Sequence, residues 1–417
     1  SALIRKIDVK DTDYNTVFYF NIVISICLYI LLWICAPAIS RFFSESLLIP
    51  VIRVLGLVLI INSCSIIQRT VLVRNIDFKT QTKVSLIASL VSGGVGITMA
   101  LYHCGVWSLV GQQLSRQFFN PVLLWIYGKW RPLWEFSYKS FKDLFGFGSK
   151  LLLSGLIDVF YKNVYYIVIG RYYSATQLGQ YTRAEQFSTI FSSNLTSVFQ
   201  RVSYPVLSSI QEEPERLRDA YRKIIKVTML ITFALMFGLA AIAKPLIVIL
   251  IGEKWLMAVP FLQIICFSEM LYPLHAINLN ILQVRGYSGL FLKLEIVKKM
   301  VGLAVLAVGI RYNPLVLVAL KAAADFLCTF INAWPNKRLL NYSIIEPWKD
   351  IIPSVAVSIL MAAAVMVAGR YVPGGWLGLG MQILFGAVVY MLASWVLGLE
   401  VFRYIRGLAV DRLPGRK

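Results

Sequence analysis

The chain has 417 residues, of which 58% are hydrophobic and only 15% charged. A water-soluble core cannot bury that much apolar surface, so the composition excludes an ordinary soluble domain and leaves material for about a dozen bilayer spans of roughly 20 residues each. The formal net charge of +20, from 41 Lys and Arg against 21 Asp and Glu, would indicate nucleic-acid binding in a soluble chain, so the position of the cations decides how it is read.

Apolar windows of span length predict helices over 16–39, 47–67, 84–101, 106–127, 148–169, 176–208, 227–250, 257–282, 289–310, 313–334, 351–369 and 376–402. The 176–208 segment is long and polar, yet no Gly or Pro divides it between Gly179 and Pro205, and it reads as one helix. The 227–250 segment reads as a span to about Ala243 followed, after Pro245, by a short interfacial turn. Taken alternately, the connections place 29 cations on one side, from Arg5, Lys6 and Lys10 through to Arg416 and Lys417. The other side holds 6: Arg41, Arg171, Lys244, Lys254, Arg311 and Arg370. By the positive-inside rule the rich side is cytoplasmic, so both termini are inside, the span number is even, and no nucleic acid is expected as a partner. The chain opens on Ser1 in a charged stretch with no signal-peptide pattern and reads as N-terminally truncated. Its 6 cysteines show no C-x-x-C spacing, which supports neither a metal site nor a disulfide framework. Asn194-Leu-Thr matches a glycosylation acceptor but lies inside a predicted span.

An internal repeat organises the segments. The run from Asp13 (DYNTVFYFNIVISICLYILLWICAPAISRFF) aligns with that from Asp219, each a span ending in Ala-Pro or Lys-Pro and an amphipathic tail. LIPVIRVLGLVLIINSCSIIQRTVLVRN aligns with AVPFLQIICFSEMLYPLHAINLNILQVRG, and the last spans of each unit align too, at an offset near 210 residues. Two further spans, 148–169 and 176–208, precede the second set, making six per unit. The prediction is an all-α polytopic membrane protein with two parallel six-helix lobes and a C-terminal helix pair. The N-terminal lobe occupies 1–140 and lacks its first two helices. The C-terminal lobe follows over 141–345, and the helix pair with its basic tail over 346–417.

Six cations remain inside the predicted spans: Arg53, Arg116, Lys162, Arg183, Arg201 and Lys321. Each costs about 2.5 to 3.5 kcal/mol on insertion scales and is a functional candidate for that reason. Arg183, Gln186, Asn194, Ser197 and Arg201 fall within roughly an 80° arc over about 27 Å of helix, interrupted by Ile190 and widened by Ser193. Glu185 points to the far side. A second stripe, Gln113, Arg116, Gln117 and Asn120, lies on the fourth span, and its repeat partner carries Lys321, Asp325 and Asn332. Asp158 with Lys162, and Lys321 with Asp325, are i,i+4 pairs that can neutralise themselves, so polar glue between helices explains them as well as a cavity does. His275 and Asn278 share one side of 257–282. Arg183, Arg201 and Arg116 have no acid on their own faces, and a cavity lined by them suits a phosphate or pyrophosphate. Lumen candidates are therefore Arg183, Gln186, Asn194, Arg201, Arg116, Gln113, Asn120, Lys162 and Lys321. Candidates for ion coupling are Asp158, Glu269, Asp325 and His275.

The runs QRTVLVRNIDFK, FGFGSKLLLSGLID, IGRYYSATQLGQYTRAEQF, SNLTSVFQRVSYPVLSSIQEEPERLRDAYRK and GEKWLMAVPFLQI resemble those of bacterial polysaccharide biosynthesis/export proteins of the Wzx type, in the multidrug/oligosaccharidyl-lipid/polysaccharide flippase superfamily. The resemblance implies fourteen helices in two lobes plus a terminal pair, with this chain beginning just before the third. It implies a non-enzymatic flippase of the bacterial inner membrane. That protein moves undecaprenyl-pyrophosphate-linked oligosaccharide from the cytoplasmic to the periplasmic leaflet by alternating access, through a cationic lumen between the lobes, for O-antigen, capsule or exopolysaccharide synthesis. It further implies no bound cofactor, a proton or sodium gradient as driving force, and membrane lipids, a polysaccharide polymerase and chain-length machinery as partners. Two alternatives are weighed against it. A cation-coupled multidrug exporter of the same superfamily would bind organic cations through buried carboxylates, whereas intramembrane cations here outnumber Asp158, Glu185, Glu269 and Asp325. An integral-membrane polymerase or ligase would present catalytic acids or His on a substantial outer loop, and the longest, from Lys244 to Trp255, holds only Glu253.

The topology makes a direct prediction. Alkaline phosphatase fused after Lys254 should be active and a cytoplasmic fluorescent reporter fused after Arg285 should fluoresce; the reverse pattern would invert the orientation.

Overall fold

The computed structural model describes residues 10–403 apart from 76, 129, 286 and 344; for residues 78, 143–144, 146–155, 157–158, 204–205, 283 and 288 it describes the backbone alone. The first helices are α1 (Asp11–Phe43), α2 (Leu48–Ser63), α3 (Ile66–Arg74), α4 (Phe78–Leu101), α5 (Val106–Tyr127), α6 (Tyr138–Tyr172) and α7 (Ala175–Ser209). They continue as α8 (Pro214–Ala241), α9 (Ala243–Ile251), α10 (Ala258–Glu269), α11 (Tyr272–Val284), α12 (Ser288–Gly309), α13 (Pro314–Ala333), α14 (Asn336–Leu340), α15 (Glu346–Ala368) and α16 (Trp376–Val396). A 3₁₀ turn spans Glu253–Trp255, and no strand occurs among the described residues. The protein is all-helical and multi-pass. Among the described residues, six stretches are long and apolar enough to cross a bilayer: α1, α4 from Lys79, α8, Pro314–Leu340, α15 and α16. The α2–α3 pair, bent by 44°, makes a seventh. Helices such as α5 and α7 fall short on composition because one face of each is polar along its length.

The 176–208 segment is one continuous helix, α7, as its lack of breakers predicts. Three predicted segments differ. The segment after Ala243 forms a short helix, α9, in place of a turn, because Pro245 sits in its first turn, where a missing N–H costs nothing. The 47–67 and 257–282 segments are each broken, at Cys64–Ser65 and at Met270–Leu271. At both breaks the chain tightens into i→i−3 bonds, Ser65 N to Asn62 O at 3.1 Å and Leu271 N to Ser268 O at 3.2 Å. The Cys64 carbonyl freed by the first break accepts from Trp125 Nε1 at 2.8 Å, the substitution a water-free environment requires. Pro273 follows the second break.

The breaks extend the sequence repeat into the structure. A long helix, a broken pair, a reversal and two further helices occur once as α1 to α5 and again as α8 to α13, with α9 set off as a separate short helix. Even the reversals match: Asp77 N bonds Leu72 O at 2.9 Å and Tyr287 N bonds Leu282 O at 2.8 Å.

Packing divides the chain into two compact units, Ser1–Asn163 and Val164–Lys417, the division falling within α6. In the first, α1 packs along α2, α4 along α5, and α2 against α5. The aliphatic side chains of mid-α1, among them Val23, Leu31 and Ile34, are exposed, as lipid-facing residues are. In the second, α8 is central, touching α7, α10, α11 and α15. Its Leu217, Tyr221, Ile225, Met229 and Phe233 are fully buried, at the i,i+4 spacing of a core-facing stripe.

One ionic cluster ties α15 to α8. Arg222 binds Asp350 through two bonds, Nε to Oδ2 at 2.6 Å and Nη2 to Oδ1 at 2.7 Å. Tyr342 donates to Asp350 at 2.7 Å, Arg218 pairs with Glu346 at 3.0 Å, and Lys226 bridges to Glu400 at 2.8 Å. Burial, with the Asp350 carboxylate beside it, pushes the Tyr342 phenol above its ordinary value, and Lys226 holds the Glu400 carboxyl below its own. Arg222→Ala should lower stability by about 2 kcal/mol, since it leaves a largely buried carboxylate with only the Tyr342 hydroxyl and the more distant Lys226 ammonium, at 3.5 Å, as partners. Asp350→Asn in the same chain should recover part of that loss in thermal denaturation of the purified protein in detergent.

Candidate functional site

The clearest polar constellation lies within the second unit, where α6, α7, α10 and α13 converge. Glu185 of α7 accepts from Tyr166 Oη of α6 and, at 3.1 Å, from Tyr181 Oη. Two turns further, Ser192 donates to Glu269, the last residue of α10. Ser268 donates to Asp325 of α13, which also pairs with Lys321 at 3.4 Å. The Lys321 ammonium stands over the Tyr165 ring at 5.7 Å and lies within electrostatic reach of Glu269 and Glu185 as well as Asp325. One cation thus serves three carboxylates, and the small hydroxyls of α7 (Ser188, Ser192, Thr196), all buried, let these helices approach closely.

Sequence spacing anticipated the Lys321–Asp325 pair and placed Glu269 and Asp325 among the candidates; the structure brings the two acids into one cluster. Glu185 does turn away from Arg183, but into this cluster, a role that helix periodicity alone could not show. The His275 ring nitrogens meet Thr329 Oγ1 at 3.3 Å and Asn332 Nδ2 at 2.8 Å, both on α13, and the ring lies within electrostatic reach of Asp325 at the edge of the cluster. Asn278, on the same helix, instead joins Tyr221 and Asn336. The Asp158 side chain lies outside the described residues, and Lys162 is exposed on α6.

The arginine stripe occupies the other side of α7. Gln186, Ser193, Asn194 and Arg201 are exposed and Arg183 is half-buried, so the stripe faces away from the helices that pack on α7. Arg183 Nη1 donates to Gln186 Oε1 at 2.9 Å and its guanidinium lies over Trp255 at 5.6 Å. Neither Arg183 nor Arg201 forms an ion pair with a described residue. Trp255 is the residue that sequence reading missed. It is carried by a turn that starts at Gly252, whose φ of +93° favours glycine, and the turn is fastened where Gln180 Nε2 donates to Lys254 O at 2.9 Å. The GEKW run signalled the turn but not its contact with Arg183. Beside the stripe, Phe191 of α7 enters an apolar cleft of about 370 Å³ lined also by Leu235, Gly238, Met361, Ile383 and Tyr390. A face carrying arginines without ion-pair partners among the described residues and an apolar cleft therefore share one helix.

In the first unit, α5 presents Gln113 and Arg116 exposed and Gln117 and Asn120 half-buried. Asn120 accepts from Arg69 at 3.3 Å, while Arg116 has no ion-pair partner among the described residues. Arg53 stacks on Trp33 at 4.4 Å. No group of three His, Cys, Asp or Glu side chains with metal-binding spacing occurs among the described residues.

Against known proteins, residues 1–260 match the family described as polysaccharide biosynthesis protein. The chain is 28% identical over 292 residues to the teichuronic acid biosynthesis protein TuaB of Bacillus subtilis (strain 168), covering 70% of this chain and 60% of that one. It is 23% identical over 278 residues to the lipopolysaccharide biosynthesis protein WzxC of Escherichia coli (strain K12), covering 65% of this chain and 56% of that one. Among solved structures, it superposes on the lipid II flippase MurJ in its inward closed conformation with a TM-score of 0.73 at 15% identity, covering 93% of this chain and 84% of that one. This likeness is one of fold.

Lys321→Ala should destabilise the protein by about 2 kcal/mol, less than for a fully buried pair because Asp325 is 38% exposed. The double variant with Asp325→Asn should be more stable than Lys321→Ala alone when both are melted in detergent. Additive losses would show that the two residues do not depend on each other.

Proposed function

The chain belongs to the polysaccharide biosynthesis protein family, and from that premise we propose that it is a flippase for a lipid-linked oligosaccharide. The reading has an undecaprenyl-pyrophosphate-linked glycan pass from the cytoplasmic to the periplasmic leaflet of a bacterial inner membrane by alternating access. The observation that carries it is the open face of α7. Arg183 and Arg201, without carboxylate partners among the described residues, suit a pyrophosphate, and the adjoining apolar cleft suits a few isoprene units of the lipid. Such a substrate is an anion joined to a hydrocarbon, and the helix offers both environments side by side. Gln186 and Asn194 add donors for phosphate or sugar hydroxyls, and Arg116, Gln113 and Asn120 of α5 offer the same chemistry in the first unit. Sequence spacing puts Lys162 and Lys321 in this lumen as well, but the Lys321 ammonium is committed to Asp325 and its neighbours, so its part is internal neutralisation.

In this reading the two lobes occupy 1–140 and 141–345, with the helix pair at 346–417 and both termini in the cytoplasm. The chain carries cargo and catalyses no bond change. A proton or sodium gradient drives the cycle through Glu269 and Asp325, with Asp158 and His275 as further candidates. A polymerase and chain-length machinery take up the product. An organic-cation exporter fits less well, because the acids of the second unit are already bonded to Lys321, to tyrosines and to serines.

Arg183→Ala and Arg201→Ala should each reduce appearance of lipid-linked glycan in the outer leaflet of reconstituted vesicles on the order of tenfold or more, at unchanged protein level. Full complementation of a flippase-null strain by both variants would remove the lumen assignment. Transfer that persists after both ion gradients are collapsed would remove the coupling.

A further inference from the structure

The stretch 130–137 between α5 and α6 is short and aromatic, and no part of the transport reading uses it. Its path is set by buried groups of α1: Leu133 N donates to Asn15 Oδ1 at 3.0 Å and Ser137 N to Thr16 Oγ1 at 3.0 Å, both acceptors having no exposed surface. Arg131 closes the end of α5, its guanidinium donating to the carbonyls of Gly128, Trp130 and Trp125 at 2.7 to 2.9 Å. Trp130 packs inward against Phe18 at 5.5 Å. With the backbone held in this way, a run of side chains faces outward: Leu133 is 54% exposed, Trp134 94%, Phe136 57% and Tyr138 72%, with the Glu135 carboxylate exposed among them. The Trp134 ring lies nearly parallel to that of Tyr19, 5.3 Å away, and Phe136 and Tyr138 lean on Phe141.

Depth along α1 places this ledge. The helix has 33 residues, about 50 Å, against roughly 30 Å of hydrocarbon, so its ends project beyond the acyl chains. Asn15 and Thr16 lie just before its apolar run begins, so the strap they hold lies where hydrocarbon gives way to headgroups. Trp and Tyr favour that depth, since their rings are apolar and their N–H and O–H groups need a polar partner. Lys139 and Lys142 are exposed beside the ledge. Three open aromatic side chains facing water would forfeit several kcal/mol of burial; facing the interface they do not.

We propose that residues 130–142 form a membrane-surface anchor, with Trp134, Phe136 and Tyr138 seated at the boundary of acyl chains and headgroups and Lys139 and Lys142 on the phosphates of anionic lipid. The anchor holds the start of α6 at a fixed depth and makes that hold dependent on the charge of the bilayer.

The test uses the full chain reconstituted in vesicles of phosphatidylcholine and phosphatidylglycerol, the phosphatidylcholine brominated on acyl carbons close to the headgroup. The emission of Trp134 is obtained by subtracting the spectrum of the Trp134→Phe protein from that of the wild type. This component should lose the larger part of its intensity to the bromines. The loss should shrink when phosphatidylglycerol is omitted, and the Lys139→Gln/Lys142→Gln protein should show no such dependence on lipid charge. A Trp134 component that bromine leaves unchanged would overturn the anchor. So would one that responds instead to a soluble oligosaccharide, which would reassign the ledge to the glycan. Equal thermal midpoints for wild type, Trp134→Phe and the double Lys variant would show that these changes leave the fold intact, and none of the readouts depends on transport.

Discussion

A bilayer offers no water to a peptide group, and that constraint orders the whole structure. Every N–H and C=O at depth must find a partner within the protein, which explains why the described membrane-crossing segments are all helical. It also explains where its irregularities lie. The break at Cys64–Ser65 is possible because Trp125 reaches the carbonyl that the break sets free. The break at Met270–Leu271 ends α10 on Ser268 and Glu269, whose side chains reach Asp325 and Ser192 on neighbouring helices. Interrupting a helix inside a membrane protein therefore creates polar need, and the side chains that meet it become a cluster.

The same constraint separates two uses of charge. Lys321 has Asp325 beside it and Glu269 and Glu185 within reach, so its positive charge is compensated inside the second unit and helps to hold α6, α7, α10 and α13 together. Arg183 and Arg201 are on the opposite side of α7, with no acid among the described residues to compensate them. Arg183 rests on Gln186 and on the face of Trp255, contacts that orient a guanidinium without neutralising it. A cation left in that condition beside an apolar cleft is suited to an amphiphile with an anionic head. The proposed substrate rests on this asymmetry between the two faces of one helix.

Much of this was legible from the order of residues. Hydropathy places the helices, because lipid selects apolar side chains over whole spans. The repeat is visible because equivalent helices in the two units keep similar lengths and loops. The stripe from Arg183 to Arg201 follows from the helical period. The helix breaks were hidden, because the residues around Cys64 and Met270 continue the apolar run and the first break has no proline to mark it. The partners of Glu185 were hidden as well. Tyr166 is nineteen positions away on another helix, and nothing in the spacing relates the two until α6 and α7 pack.

From its sequence alone the chain determined that it is a helical, multi-pass membrane protein built on a repeat, with an excess of basic residues in alternate loops and a polar face on α7. These properties depend on composition and on periods of a few residues, which a linear text preserves. Packing alone decided which charges are compensated, which carbonyls a distant tryptophan satisfies, and that Trp255 lies beneath Arg183. Each of those depends on a distance of a few ångströms between residues far apart in the chain, and only the folded arrangement of helices sets such distances.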